Sequence, residues 1–306
     1  MLAAAALTLL ASTSVLAQNP PPSGGDPPFV PPAVNRATLN DLYKSTGGPQ
    51  WKVSTGWGTD SDYCTWYGVT CVYTNHNITT HIRLAQNNLV GTIPDNIGDL
   101  ADLKVIDLSG NAISGTIPES LSKFFFYNIK ISNPAPPCPH IANRPSFCFC
   151  CTCFPRCLPF AGTISTMVDI NFSGNKLTGP LPEYIYNQKV NVTYPIGTTL
   201  RSINLEYNSI TGPIPETWFG PPKVGTFPPP NNLQVVNMRY NQITGDIPTS
   251  ISTAFKLDTL LLSYNKMSGN ITDTLLDTWL GTRKYCDLSG NSWGTVSPAV
   301  SKTCNM

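Results

Sequence analysis

The sequence predicts an α/β solenoid, a right-handed arc of stacked coils with a parallel sheet along its concave side. Three observations carry that prediction. An asparagine recurs in one frame at Asn87, Asn111, Asn175, Asn208, Asn241 and Asn265, with a degenerate last copy at Asn291. Apolar residues stand five and three positions before it, alternating as a short strand does. A glycine follows most copies four positions on, and Ile-Pro comes shortly after in the best of them.

The best copies are IRLAQNNLVGTIP (Ile82 to Pro94), IDLSGNAISGTIP (Ile106 to Pro118) and INLEYNSITGPIP (Ile203 to Pro215). One coil cannot bury its own apolar row, so neighbours stack until the core is continuous. The asparagine stands where the strand turns sharply inside that core. A short amide offers both donors and an acceptor to the backbone groups left there, which a leucine would strand. The G-x-I-P ending resembles the plant-type class of leucine-rich repeat. Residues 36 to 71 resemble that class's N-terminal cap, in ATLNDLYKSTGGPQW, then GW, then CTWYGVTC. The resemblance covers about residues 36 to 121 and 163 to 293. It implies kinship with receptor-like kinase ectodomains and polygalacturonase-inhibiting proteins.

From the start of the chain, MLAAAALTLLASTSVLA is an apolar run with small residues at Val15 and Ala17, so residues 1–17 read as a signal peptide cleaved before Gln18. Its n-region carries no Lys or Arg. Residues 18–35 are Pro- and Gly-rich and read as an extended linker, followed by the cap over 36–77. The repeats occupy 78–293 and a C-terminal cap 294–306. No later apolar run is long enough to span a membrane, and SKTCNM is no lipid-anchor signal. A secreted protein, free or held in a cell wall, is expected. Four sequons, at Asn77, Asn171, Asn191 and Asn270, are then open to glycosylation. Asn171 lies on a predicted strand between inward Ile170 and Phe172, so a glycan there would stand on the concave face.

Ten cysteines divide by place. Cys64 and Cys71 flank Trp66 in the cap, and an oxidising compartment favours their pairing. So short a loop contributes about 2.5 kcal/mol through the unfolded state. Cys286 and Cys304 straddle the last repeat and read as a C-terminal clamp. The other six, from Cys138 to Cys157, crowd into CPHIANRPSFCFCCTCFPRC and interrupt the ladder. A disulfide-rich loop is one reading; a zinc cluster is another, disfavoured by the absence of paired C-x2-C spacing. A third explains more. The asparagines are 24 apart at 87 to 111 and at 241 to 265, but 64 apart at 111 to 175. Ser122-Lys123-Phe124 can be encoded with a splice-donor consensus. Ser146 to Phe160 favours pyrimidine-rich codons, and Phe160-Ala161-Gly162 can encode an acceptor. Splicing there removes Ser122 to Gly162, restores one hybrid codon and returns the 24-residue interval. Residues 122–162 are thus read as a retained intron. The intervals 175 to 208 and 208 to 241 are each 33, and their extra residues read as outward loops at about 187–197 and 220–230.

Composition excludes some functions. Lys plus Arg is 19 against 18 for Asp plus Glu, so no basic field exists to hold nucleic acid. No nucleophile elbow, zincin helix, phosphate loop or dinucleotide fingerprint occurs. His76, His81 and His140 lack an evident partner, and the concave acids Asp107, Glu206 and Asp287 sit on separated repeats. The expectation is a non-enzyme with no metal or cofactor.

What remains is a surface. Tyr207, Tyr240 and Tyr264 precede the ladder asparagine on consecutive repeats, beside Glu206 and Arg239, with Asn204 and Asn237 in the next row. Tyr and Arg are frequent interface anchors, and the amides suit peptide groups or sugar hydroxyls. The alternative is that the tyrosines cover the strand edge and stack on one another. The first functional reading is a secreted recognition module for a protein or peptide, in defence or cell-surface signalling, whose partner is a membrane receptor or secreted enzyme. The other is a wall or matrix protein with weak polysaccharide binding.

Overall fold

A computed structural model describes residues 32–73, 77–121, 128–129, 162–163, 167–182, 200–219, 232–275 and 285–306. The signal peptide, most of the linker, the six crowded cysteines, His76, His140, the Asn191 sequon and both outward loops lie outside these residues. Among the described residues no helix is long and apolar enough to cross a membrane, and no three His, Cys, Asp or Glu side chains gather as for a metal.

The cap opens with a helix, Pro32–Ser45. It begins inside the expected linker, four residues before position 36, because proline's fixed φ suits a first helical turn. Its Leu39 and Leu42 are fully buried against Trp51, Trp57 and Trp66. Each indole N–H finds an acceptor: Trp51 on the Thr46 carbonyl, Trp57 on the Tyr67 carbonyl and Trp66 on Ser61 Oγ. Arg36 lies over the Tyr63 and Trp66 rings at 5.7 and 5.5 Å. A Cys64–Cys71 disulfide spans 5.4 Å between Cα atoms. The strand Val69–Tyr73 pairs antiparallel with Asn77–Arg83. This pairing, not anticipated from sequence, closes the first edge of the concave sheet with a hairpin.

From Asn77–Arg83 onward the concave sheet is parallel. Its strands are Asn77–Arg83, Val105–Asp107, Asp169–Asn171, Ser202–Asn204, Val235–Asn237, Thr259–Leu261 and Tyr285–Asp287. Register is strict: Ile82, Ile106, Ile170, Ile203, Val236, Leu260 and Cys286 face one another in turn. These residues and the next inward row (Leu84, Leu108, Phe172, Leu205, Met238, Leu262, Leu288) are essentially inaccessible. Most strands are three residues long, shorter than the sequence pattern suggests, because the backbone turns left-handed three residues after each strand.

At that turn the asparagine ladder does its structural work. Asn241 Nδ2 donates to the carbonyls of Leu205 (2.9 Å), Met238 (3.2 Å) and Arg239 (3.1 Å), while its Oδ1 accepts from the Ile210 amide (3.0 Å). One side chain therefore ties its own coil to the one before. Asn111, Asn175, Asn208, Asn265 and Asn291 repeat the arrangement.

A second parallel sheet, not foreseen from sequence, follows the ladder: Val90–Thr92, Ala112–Gly115, Lys176–Pro180, Ser209–Gly212, Gln242–Gly245 and Lys266–Met267. Its inward residues, from Leu89 through Ile113, Leu177, Ile210, Ile243 and Met267, bury the other side of the core.

The stack is continuous across the long interval. Val105–Asp107 pairs directly with Asp169–Asn171, the Leu108 amide donates to the Asn171 carbonyl (2.9 Å), and Asn175 Oδ1 accepts from the Ile113 amide (3.0 Å). Met167 is fully buried next to this join. Within 122–163 only Asn128–Ile129 and Gly162–Thr163, an antiparallel pair, are described.

The other end closes with the helix Pro298–Thr303, N-capped by Ser297, and with a Cys286–Cys304 disulfide whose Cα atoms are 4.8 Å apart. The Leu288 amide donates to the Asn305 carbonyl (2.8 Å), which occupies the last exposed edge of the concave sheet.

Candidate functional site

The three tyrosines stand at one register, where the backbone is left-handed: φ is 53° at Tyr207, 54° at Tyr240 and 56° at Tyr264. Gly110, Gly174 and Gly290 occupy the same position in other repeats, at 64°, 64° and 67°. A side chain with a Cβ costs about 1 kcal/mol or more in this region relative to glycine. Three successive tyrosines thus stand where glycine is the cheap solution, and something must offset the difference. Part of it is stacking. Ring centroids are 4.4 Å apart between Tyr207 and Tyr240 and 4.5 Å between Tyr240 and Tyr264, with planes 8° and 7° from parallel. The stack also covers Gly290, where an added Cβ would meet the Tyr264 ring at 2.8 Å. Stacking does not hide the row, since Tyr207 and Tyr264 remain 54% and 53% exposed.

Beside the stack, Arg239 Nη2 meets Glu206 Oε1 at 2.8 Å. Asn237 holds the pair together: its Nδ2 donates to Glu206 Oε2 (2.8 Å) and its Oδ1 accepts from Arg239 Nε (3.2 Å). Both charges are therefore fixed by bonds within the sheet. Loss of water around the Tyr240 phenol, with the Tyr207 hydroxyl bonded to it and its charge adjacent, raises that pKa above the ordinary value. The Tyr240 hydroxyl is therefore neutral at physiological pH.

The two asparagines differ from the role expected of them. Asn237 is only 7% exposed and is spent on Glu206 and Arg239. Asn204 Oδ1 accepts from the Glu206 amide (3.1 Å). Both make the turn that Asp107, Asn171 and Asp287 make in their own repeats. They position the site more than they line it. Asn171 and Asn270 are placed and at least partly exposed, whereas the side chain of Asn77 and all of Asn191 lie outside the described residues.

Sequence reasoning missed one feature at the site. The strained backbone was signalled by the glycines at the equivalent positions of other repeats.

A model of the leucine-rich repeat N-terminal domain matches residues 35–72. One of the leucine-rich repeat matches 102–124, 199–220 and 232–254. Among curated proteins, Protein STRUBBELIG of Arabidopsis thaliana is 34% identical over 85 residues, 28% of this chain and 11% of that protein. Receptor protein kinase WSS1 of Oryza sativa subsp. japonica is 33% identical over 86 residues, 28% of this chain and 9% of that protein. The match therefore spans about a tenth of each relative's length. Among solved structures, the PEPR1–AtPEP1 complex aligns at TM-score 0.55 and 23% identity over 86% of this chain and 31% of that one. The Arabidopsis receptor kinase HAESA, in complex with the peptide hormone IDA and the co-receptor SERK1, aligns at TM-score 0.56 and 17% identity over 85% and 38%. These structures share the fold. The chain carries a leucine-rich repeat N-terminal cap followed by leucine-rich repeats, and its relatives are plant leucine-rich repeat receptor proteins.

Proposed function

We propose that this chain is an extracellular, non-enzymatic recognition module that binds a peptide or an extended segment of a protein across Tyr207, Tyr240 and Tyr264. The observation that carries this reading is the left-handed tyrosine stack itself. Three repeats in a row hold an aromatic where glycine would cost less, the outer two exposed and the middle one half-buried between them, and strain of this kind concentrates at binding surfaces. The stack offers a rigid apolar edge tipped with hydroxyls. The prearranged Glu206–Arg239 pair offers one acceptor and one donor to a passing backbone or side chain. Little side-chain freedom is left to lose on binding. Solved relatives with peptide ligands on the same fold support the class of ligand.

Selection of peptides from a displayed random library against the secreted chain tests this, with Tyr240→Ala as counter-screen. Recovered peptides should bind the native chain at least about tenfold tighter than the variant. A library that yields no binder dependent on any of the three tyrosines would contradict the proposal.

A further inference from the structure

Five concave strands share one local device. An Asp or Asn at the third strand position accepts the amide N–H of the residue two positions on: Asp107 from Ser109 (3.0 Å), Asn171 from Ser173 (3.2 Å), Asn204 from Glu206 (3.1 Å), Asn237 from Arg239 (3.3 Å) and Asp287 from Ser289 (3.3 Å). The fold asks only for an acceptor there, and an acid serves as well as an amide. Only one of the five combines the amide with a hydroxyl two residues on, in Asn171-Phe172-Ser173. Ser173 Oγ also donates to Asn171 Oδ1 (2.8 Å), and Asn171 Nδ2 has no hydrogen-bond partner among the described residues.

Next to Asn171, Gly174 leaves a lane in the row of side chains, bounded on the far side by Gln86, whose side chain a Cβ at Gly110 would meet at 2.9 Å. Gly110 and Gly174 hold the position that the following three repeats give to tyrosine. The Gly174 amide donates to the Glu206 carbonyl (2.8 Å) and the Asn175 amide to the Tyr207 carbonyl (3.2 Å), so Gly174 lies in register beside Tyr207. A Cβ at Gly174 would make only ordinary contact with Gly110, at 3.4 Å. Neighbouring strands are ~4.8 Å apart, so the lane has the width of a ring stacked on Tyr207. It starts within reach of the first sugars on Asn171.

We propose that Asn171 carries an N-linked glycan, and that its core sugars lie in the lane over Gly174, between the Gln86 side chain and the open end of the tyrosine stack. In the attachment step Asn171 Nδ2 bonds to C1 of an oligosaccharide on a lipid-pyrophosphate donor. The C1–O bond breaks, the lipid pyrophosphate leaves with its electron pair, and the amide gives up one proton. One N–H remains and Oδ1 keeps both bonds from Ser173, so the native turn accepts the modification. The glycan then forms the N-terminal wall of the binding surface and confines a ligand to the repeats from Tyr207 onward. This rests on the extracellular part of the function proposed above and not on its peptide ligand.

The full chain, expressed through the secretory pathway of a plant cell, provides the test. N-glycosidase digestion in heavy-oxygen water, read by peptide mass spectrometry, should mark both Asn171 and Asn270. The exposed Asn270 binds the Thr295 amide (2.8 Å) and serves as an internal control. Asn171→Asp, which reproduces the acid found at Asp107 and Asp287, should lose the Asn171 mark alone. Nitration by tetranitromethane then reports the lane. Tyr207 and Tyr264, equally exposed, should react alike in Asn171→Asp, while Tyr207 should react several-fold more slowly in the glycosylated chain. A secreted chain with Asn171 unmodified overturns the site, whatever the state of Asn270. A modified Asn171 with the same Tyr207-to-Tyr264 ratio in both proteins overturns the lane. Peptide binding is a separate readout, because Tyr240→Ala leaves this sequon intact.

Discussion

The hydroxyl of Ser263, fully buried, donates to Asp287 Oδ2 at 2.8 Å, joining the last two concave strands by a bond between side chains. Asp287 Oδ1 accepts from Ser289 Oγ (2.7 Å) and from Asn305 Nδ2 (3.2 Å), so the same carboxylate also holds the C-terminal residues. Burial raises the Asp287 pKa, but the hydrogen bonds from Ser289, Ser263 and Asn305 outweigh it and leave the value below the ordinary 3.8.

A folded-state pKa below the unfolded one means stability that is present above pH ~3.8 and lost as pH falls through the folded value. Glu216 behaves alike. Hydrogen bonds from Ser250 and Thr249 override its burial and lower its pKa below 4.5. Melting temperature should therefore drop as pH falls from about 5 toward 3, and Asp287→Asn should flatten part of that acid limb. Ser263→Ala should cost about 1–2 kcal/mol at pH 7, read by chemical unfolding.

Asn241→Leu should be among the most damaging single changes. It leaves the carbonyls of Leu205, Met238 and Arg239 and the Ile210 amide without partners in a site only 8% exposed. A loss of about 3 kcal/mol or more is expected in denaturant unfolding.

Deleting Ser122 to Gly162 and restoring one residue at the join should raise the melting temperature. The flanking strands already pair in register, so removal shortens a long closed loop without disturbing a described contact of the stack. Transcript sequencing checks the origin of the segment: a shorter message lacking it is expected, and its retention in every message would refute the intron reading.

The fold was legible because its determinants recur. The asparagine frame located every parallel concave strand and both inward rows, and Trp66 between Cys64 and Cys71 located the cap. The second sheet was not legible, since Ala112–Gly115 or Ser209–Gly212 is a short stretch broken by glycine with no alternation of its own. The helix start at Pro32 was hidden in proline-rich sequence that reads as linker. At the site, the tyrosine register was legible by counting from the asparagine. The roles of Asn204 and Asn237 were not, because a side chain that bonds to its own turn looks in sequence like one that faces a ligand.

Tyr240 is flanked by rings on both sides, yet its removal leaves a left-handed residue in an otherwise unchanged turn. Tyr240→Gly separates strain from stacking. It relieves about 1 kcal/mol of backbone cost and gives up two ring contacts of about 0.5–1.5 kcal/mol each. Unfolding free energy should therefore move by no more than about 2 kcal/mol.

The central claim is that the stack exists to bind and not to brace the sheet. The most direct measurement is the affinity of library-selected peptides for native chain and Tyr240→Ala, with thermal unfolding of both proteins recorded in parallel. The account predicts at least about a tenfold loss of affinity, while the two lost ring contacts lower the unfolding free energy by no more than about 3 kcal/mol. Undiminished peptide binding together with a much lower melting temperature would contradict it and make the tyrosines structural cover.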